Sequence, residues 1–98
     1  MGQSPKVYMY TASVKLTFIV NHGDSLKDKR RICRGVIARV RQKFNVSVAE
    51  VCAQDKLRRL VLGVAVVSGD ADHARQCLEE VIRFMESQVD GDLVEIME

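Results

Sequence analysis

With 98 residues, 47% of them apolar, the chain is sized for one domain around one core and is too apolar for a disordered segment. No stretch reaches the roughly 18 consecutive apolar residues of a membrane-spanning helix, and Met1 to Lys6 lacks the layout of a signal peptide, so a cytoplasmic protein is expected. The net charge of +2 conceals an asymmetry: residues 1–68 carry a balance of +9, residues 69–98 one of −7.

Residues 1–6 are expected to be a disordered lead-in, and 7–98 a single domain. From Val7 to Val20, Tyr8, Tyr10, Ala12, Val14, Leu16 and Phe18 alternate with Met9, Thr11, Ser13, Lys15 and Thr17, a period of two that predicts a long strand with the first set facing the core. Asn21-His22-Gly23-Asp24 breaks it. Ser25 and Asp28 then match a capping box, and Leu26, Cys33, Val36, Ile37, Val40 and Phe44 fall on one face of a helix ending near Lys43. Gly35 lies inside this helix, where glycine is unfavourable by about 1 kcal/mol relative to alanine, which suggests that it permits close packing.

Asn45 to Cys52 reads as a second strand, Ala53 to Lys56 as a turn, and Leu57 to Ser68 as a third strand, apolar on both faces and therefore central. Asp70 is the expected N-cap of a second helix whose buried stripe is Ala74, Cys77, Leu78, Val81, Ile82 and Met85. After a turn at Val89 to Asp92, Leu93 to Met97 forms a last strand, with Val94 and Ile96 expected inward. The order βαββαβ predicts an α+β, ferredoxin-like sandwich: a four-stranded antiparallel sheet with two helices on one face.

Three segments carry a family resemblance. Ser25-Leu26-Lys27-Asp28-Lys29-Arg30 opens the first helix, Arg41-Gln42-Lys43-Phe44-Asn45-Val46-Ser47-Val48-Ala49-Glu50 closes it and starts the second strand, and Leu62-Gly63-Val64-Ala65 lies in the third. Together they resemble the YlxP-like family of uncharacterised bacterial proteins over residues 7–97, although Tyr8 to Tyr10 departs from the family's more aliphatic start. The resemblance implies a ferredoxin-like fold. Because genes of that family commonly lie among translation and ribosome-maturation genes, it also implies an RNA or ribosomal setting. It carries no catalytic residue with it.

The first helix is the one segment with concentrated chemistry. Lys27, Lys29, Arg30, Arg31, Arg34, Arg39, Arg41 and Lys43 share it with a single acid, Asp28. At about 100° per residue, Lys27, Arg30, Arg31, Arg34 and Arg41 fall within one sector of roughly 100° beside the apolar stripe. Like charges at these spacings repel, and cations in the first turns oppose the helix dipole, so stability alone does not favour the arrangement. A polyanion relieves the repulsion and gains from counterion release. Lys29 is expected to add a phosphate contact near the helix N-terminus. The competing expectations are a solvated charged face, pairing with Asp70, Asp72, Glu79, Glu80 and Glu86 of the neighbouring helix, and docking to an acidic protein.

Other chemistries find little support. His22, Asp24 and Ser25 share a loop, but nothing arranges them as a triad. The two histidines and the cysteines Cys33, Cys52 and Cys77 have no metal-ligand spacing, and the cysteines read as small buried hydrophobes in a reducing compartment, so no metal or cofactor is expected. No CxxC pair marks a copper carrier, no GxxG loop marks a nucleic-acid clamp, and the third strand lacks the aromatics of an RNA-recognition motif. The expected function is thus a non-enzymatic accessory factor binding RNA or a ribosomal particle through Lys27, Lys29, Arg30, Arg31, Arg34 and Arg41. The alternative is a homodimeric protein-protein or small-ligand regulatory module using the sheet's open face, where Thr11, Ser13, Lys15 and Thr17 meet Val61, Gly63, Ala65 and Val67. Gly23 keeps an amino-acid-binding loop in view.

Overall fold

The computed structural model describes residues 8–21 and 24–98; the expected lead-in at 1–6, Val7, and the loop residues His22 and Gly23 lie outside them. The elements are β1 (Tyr10–Val20), α1 (Leu26–Lys43), β2 (Ser47–Cys52), β3 (Arg59–Ser68), α2 (Ala71–Gln88) and β4 (Gly91–Met97). The strands form one antiparallel sheet in the order β2-β3-β1-β4, so the two central strands are those with the strongest apolar patterning. This is the ferredoxin-like α+β arrangement.

The core lies between the sheet and the helices. Val14, Leu16, Phe18 and Val20 of β1 and Leu60, Leu62, Val64 and Val66 of β3 bury their side chains with Cys33, Val36 and Val40 of α1 and Ala74, Leu78, Val81 and Met85 of α2. Each of the Val, Leu, Phe and Met side chains withdrawn from water contributes about 1.5–3 kcal/mol, which fixes both the register of the central pair and the rotation of each helix.

Three apolar expectations are corrected. Tyr8 and Tyr10 keep the parity of the core positions, but they are exposed, because Tyr10 pairs with Ser68 at the very end of β3 and the core stops short of them. Their rings stack on each other instead, 6.3 Å apart and 14° from parallel. In β4 the register shifts between Thr17 and Phe18: Glu95 faces Thr17, Leu93 faces Phe18, and Val94 is the extra residue of a bulge. Leu93 therefore packs on the core and Val94 is left exposed. Ile96 does fall opposite the core residue Leu16, yet it too is exposed, because β4 is an edge strand and the core does not extend over it there. A second bulge puts Glu50 opposite Leu62 and Cys52 opposite Val61, which leaves Cys52 exposed; Cys33 is buried, Cys77 half-buried, and all three thiols are free. The bulged residue Val51 lies across Gly63, where a Cβ would sit 2.8 Å from its Cγ1.

Gly35 is also not what the helix pattern suggested. A Cβ there meets no neighbouring element; its nearest atom is Nη1 of Arg39, 3.2 Å away.

Candidate nucleic-acid interface

The helix that carries the cations starts because Ser25, in an extended conformation, caps it: Ser25 Oγ accepts the Asp28 amide at 3.1 Å. The Asp28 carboxylate contacts Arg31 Nη2 at 3.4 Å. The helix closes with the Phe44 amide donating to the Val40 carbonyl, and Arg41 and Lys43 in the last turn suit the negative end of the dipole. Its 18 residues make a rod of about 27 Å.

Lys27, Arg30, Arg31 and Arg34 are exposed along this rod. Lys27, Arg31 and Arg34, with Asp28, line one shallow hollow of about 430 Å³. Arg41 belongs to the same flank, but its guanidinium donates to the Val48 carbonyl at 3.0 Å, which ties it to the edge of the sheet. Among the described residues no ion pair joins α1 to α2. The acidic helix keeps its own pair, Arg75 with Asp72 at 3.1 Å, and the cross-helix Arg–Glu pairs expected as a competing role for the cations do not form there. What joins the helices is aromatic: Phe44 and Phe84 meet edge to face at 5.6 Å, with Lys43 Nζ 4.7 Å from the centre of the Phe84 ring.

Lys29 is the exception and corrects the expectation of a phosphate contact. Only 1% of it is exposed. Its ammonium donates to the Ala53 carbonyl and pairs with Glu50 Oε2 at 3.3 Å. The reason is positional: 29, 33, 36 and 40 recur at 4-3-4 spacing, so Lys29 stands on the core stripe and its long stem crosses apolar ground to reach polar partners. Ala53 itself has φ 59°, a left-handed conformation unfavourable for alanine, and its carbonyl also accepts the Lys56 amide at 3.0 Å. Lys29 therefore clamps the β2–β3 turn to α1.

Cys33 borders this cluster. Burial, then the negative charge of Glu50 and a hydrogen bond with it, push the thiol up to about 11, against the weaker pull of Lys29 and Arg34. With a folded value above the unfolded one of about 9, the protonated thiol supports the fold fully below pH 9, and that support is lost as pH rises through 11. Cys33 is accordingly a poor nucleophile. The Cys77 thiol is also raised, by burial and then by Glu80. Among the described residues no three His, Cys, Asp or Glu side chains converge as a metal site, and no helix is long and apolar enough to cross a membrane.

Residues 11–97 match the family described as "Protein of unknown function (DUF503)". The uncharacterised protein YlxP of Bacillus subtilis (strain 168) is 36% identical over 69 residues, which cover 70% of this chain and 75% of that relative. The chain belongs to this YlxP-like family. A solved structure, the de novo designed protein Ferredog-Diesel, aligns over 100% of this chain and 96% of its own with a TM-score of 0.39 and 14% identity. Within this YlxP-like chain, two cations outside the expected sector also take up positions of interest. Arg39 and Lys43 continue from Arg31 at steps of four, a spacing legible in the sequence, and stand on the side of α1 that meets α2.

Proposed function

We propose that the protein is a non-enzymatic cytoplasmic accessory factor that binds structured RNA or a ribosomal particle through the outer flank of α1. The observation that carries this reading is the exposed row Lys27, Arg30, Arg31 and Arg34, which has one carboxylate, Asp28, in its hollow and, among the described residues, no acidic partner from α2. Such a row holds phosphates and reads no base edges, so affinity is electrostatic and sequence preference low. Lys29 has no part in it, and Arg41 contributes from the sheet edge.

The test is binding of a structured ribosomal RNA fragment by the intact protein. Four phosphate contacts give a slope of log K against log salt of about −3.6, hence a roughly hundredfold loss between 50 and 200 mM salt. Arg30→Glu with Arg34→Glu is expected to weaken binding at least about tenfold and to leave the circular dichroism unchanged, since both side chains are exposed. Equal retention of RNA by the double variant, or a flat salt response, would reject the reading.

A second reading, homodimerisation through the open sheet face, is favoured by the hollow over Gly63. This depression of about 540 Å³ has Ala49, Ala65 and Gly63 among its lining and Lys15, Val51 and Met97 beside them. Small residues flanked by larger ones suit a second copy placed by a two-fold axis. Light scattering at about 100 µM is expected to return twice the 11.0 kDa chain mass, and Ala65→Arg to return the single mass. A monomeric parent protein would exclude this reading.

A further inference from the structure

The side of α1 that meets α2 holds a feature that shares only Arg31 with the outer flank. Arg31, Gly35 and Arg39 recur every four residues and line a cleft of about 350 Å³, together with Val20, Ile32, Gln88 and Asp90. Gly35 sits in the middle of an 18-residue helix, where it is the least favourable residue short of proline. No neighbouring element requires the missing side chain. A Cβ at this position would meet Nη1, Nη2 and Cζ of Arg39 at 3.2, 3.7 and 3.8 Å, and nothing else so near. The glycine thus makes room for a guanidinium that folds back along the helix, toward the turn from which Arg31 projects.

Arg39 makes no ion pair or hydrogen bond among the described residues, and Arg31 has only its exposed 3.4 Å contact with Asp28. Two cations drawn to one cleft over a helix-weakening glycine bring the fold no internal gain. A bound anion supplies one. The third donor is the Gln88 amide, which gives one N–H to Ser87 Oγ at 3.4 Å and has a second. Asp90 is the cleft's own carboxylate, and its Oδ1 accepts from Asn21 Nδ2 at 3.1 Å. It keeps an anion on the Arg31–Arg39 side and suits a hydroxyl donor, while half-buried Ile32 supplies apolar surface.

We propose that this cleft binds a 5′-phosphorylated ribonucleotide, its phosphate held by Arg31 and Arg39 and its ribose toward Asp90. Guanidinium forks match phosphate oxygens in pairs, and the volume accommodates one nucleotide. The inference goes beyond the outer-flank reading, since the site works without Lys27, Arg30 or Arg34. The same chemistry is offered by a free nucleotide and by the phosphorylated end of an RNA strand.

Calorimetry on the intact protein with adenosine 5′-monophosphate, and anisotropy with one short oligoribonucleotide bearing either a 5′-phosphate or a 5′-hydroxyl, test it. Arg39→Gln is expected to weaken binding about tenfold or more, as for the loss of one charge-assisted pair. Gly35→Ala, by displacing the Arg39 guanidinium, is expected to weaken binding severalfold while raising the melting temperature by roughly 2–6 °C. That combination separates a ligand role from damage to the fold. Arg30→Gln with Arg34→Gln, which removes outer-flank charge without placing a carboxylate beside Arg31, is expected to weaken mononucleotide binding less than Arg39→Gln does, so failure of the outer-flank reading leaves this one standing. Arg39-dependent binding of the monophosphate identifies a free nucleotide as sufficient; dependence seen only with the 5′-phosphorylated oligomer identifies an RNA end. Affinities unchanged in both Arg39→Gln and Gly35→Ala, or no monophosphate binding together with equal affinity for the two oligomers, overturn the proposal.

Discussion

Lys29→Met is expected to lower the unfolding free energy by about 3 kcal/mol, read as a fall in the urea midpoint with the slope unchanged. The substitution keeps the apolar stem and removes the ammonium. Glu50, 18% exposed in its side chain, is then left without its cation, and the Ala53 carbonyl loses one of its two donors in a turn already held in a left-handed conformation. Breaking a buried pair typically costs about 3–5 kcal/mol, and the lower end applies because Glu50 retains some water. Lys29→Met with Glu50→Leu is expected to recover most of the loss, because an apolar pair of similar volume needs no compensation. Arg34→Met, on the exposed flank, should change stability by less than about 0.5 kcal/mol. A loss below about 1 kcal/mol in Lys29→Met would show that the clamp does not hold the turn.

Gly91→Ala is expected to cost about 2–3 kcal/mol, for a reason of shape alone. Gly91 pairs with Val20 at the start of β4, and a Cβ there would land on the Ile19 carbonyl oxygen and 2.8 Å from Val20 Cα. Both are backbone atoms of a central strand and cannot swing aside, so the first residues of β4 would have to lift off β1. Gly35→Ala has the opposite expected sign, up to about 1 kcal/mol more stable, since its Cβ meets only the end of a flexible arginine. Thermal denaturation of the two variants beside the parent protein checks both signs in one experiment. A Gly91→Ala protein within about 0.5 kcal/mol of the parent would mean the approach of the two strands is looser than described.

Alternation along β1 and β3 and the helical stripes of α1 and α2 are long enough, and buried enough, that the element order and the core could be read directly from residues. Val14, Leu16 and Phe18 behave as their pattern requires, and so do Val36, Val40, Val81 and Met85. The pattern fails where chain geometry changes phase or the core runs out. Val94 is the extra residue of a bulge that alternation cannot announce, Cys52 follows another, and Ile96, opposite Leu16, is exposed on an edge strand. Tyr8 and Tyr10 continue a correct period past the end of anything to pack against. Lys29 was misplaced for a different reason. Its spacing to Cys33, Val36 and Val40 puts it on the buried stripe, but a lysine there is read as polar until Glu50 and the Ala53 carbonyl, 21 and 24 residues away, are brought beside it. The exposed cations were legible as a sector because a helix converts sequence number into angle; Arg39 and Lys43 needed the position of α2 to acquire meaning.

The separation of charge between the helices has a consequence for motion in solution. A cationic α1 lies beside an α2 rich in carboxylates, with no described ion pair bridging them, so the molecule behaves as a transverse electric dipole. In the field of a polyanion such a dipole experiences a torque that turns α1 forward before contact; on the proposed RNA-binding reading, this orientation would raise the productive fraction of encounters beyond what a net charge of +2 would achieve. On the proposed RNA-binding reading, the same polarity would set the acidic helix of a bound copy outward, where it would repel the polyanion's next strand and discourage crowding of further strands onto one protein molecule.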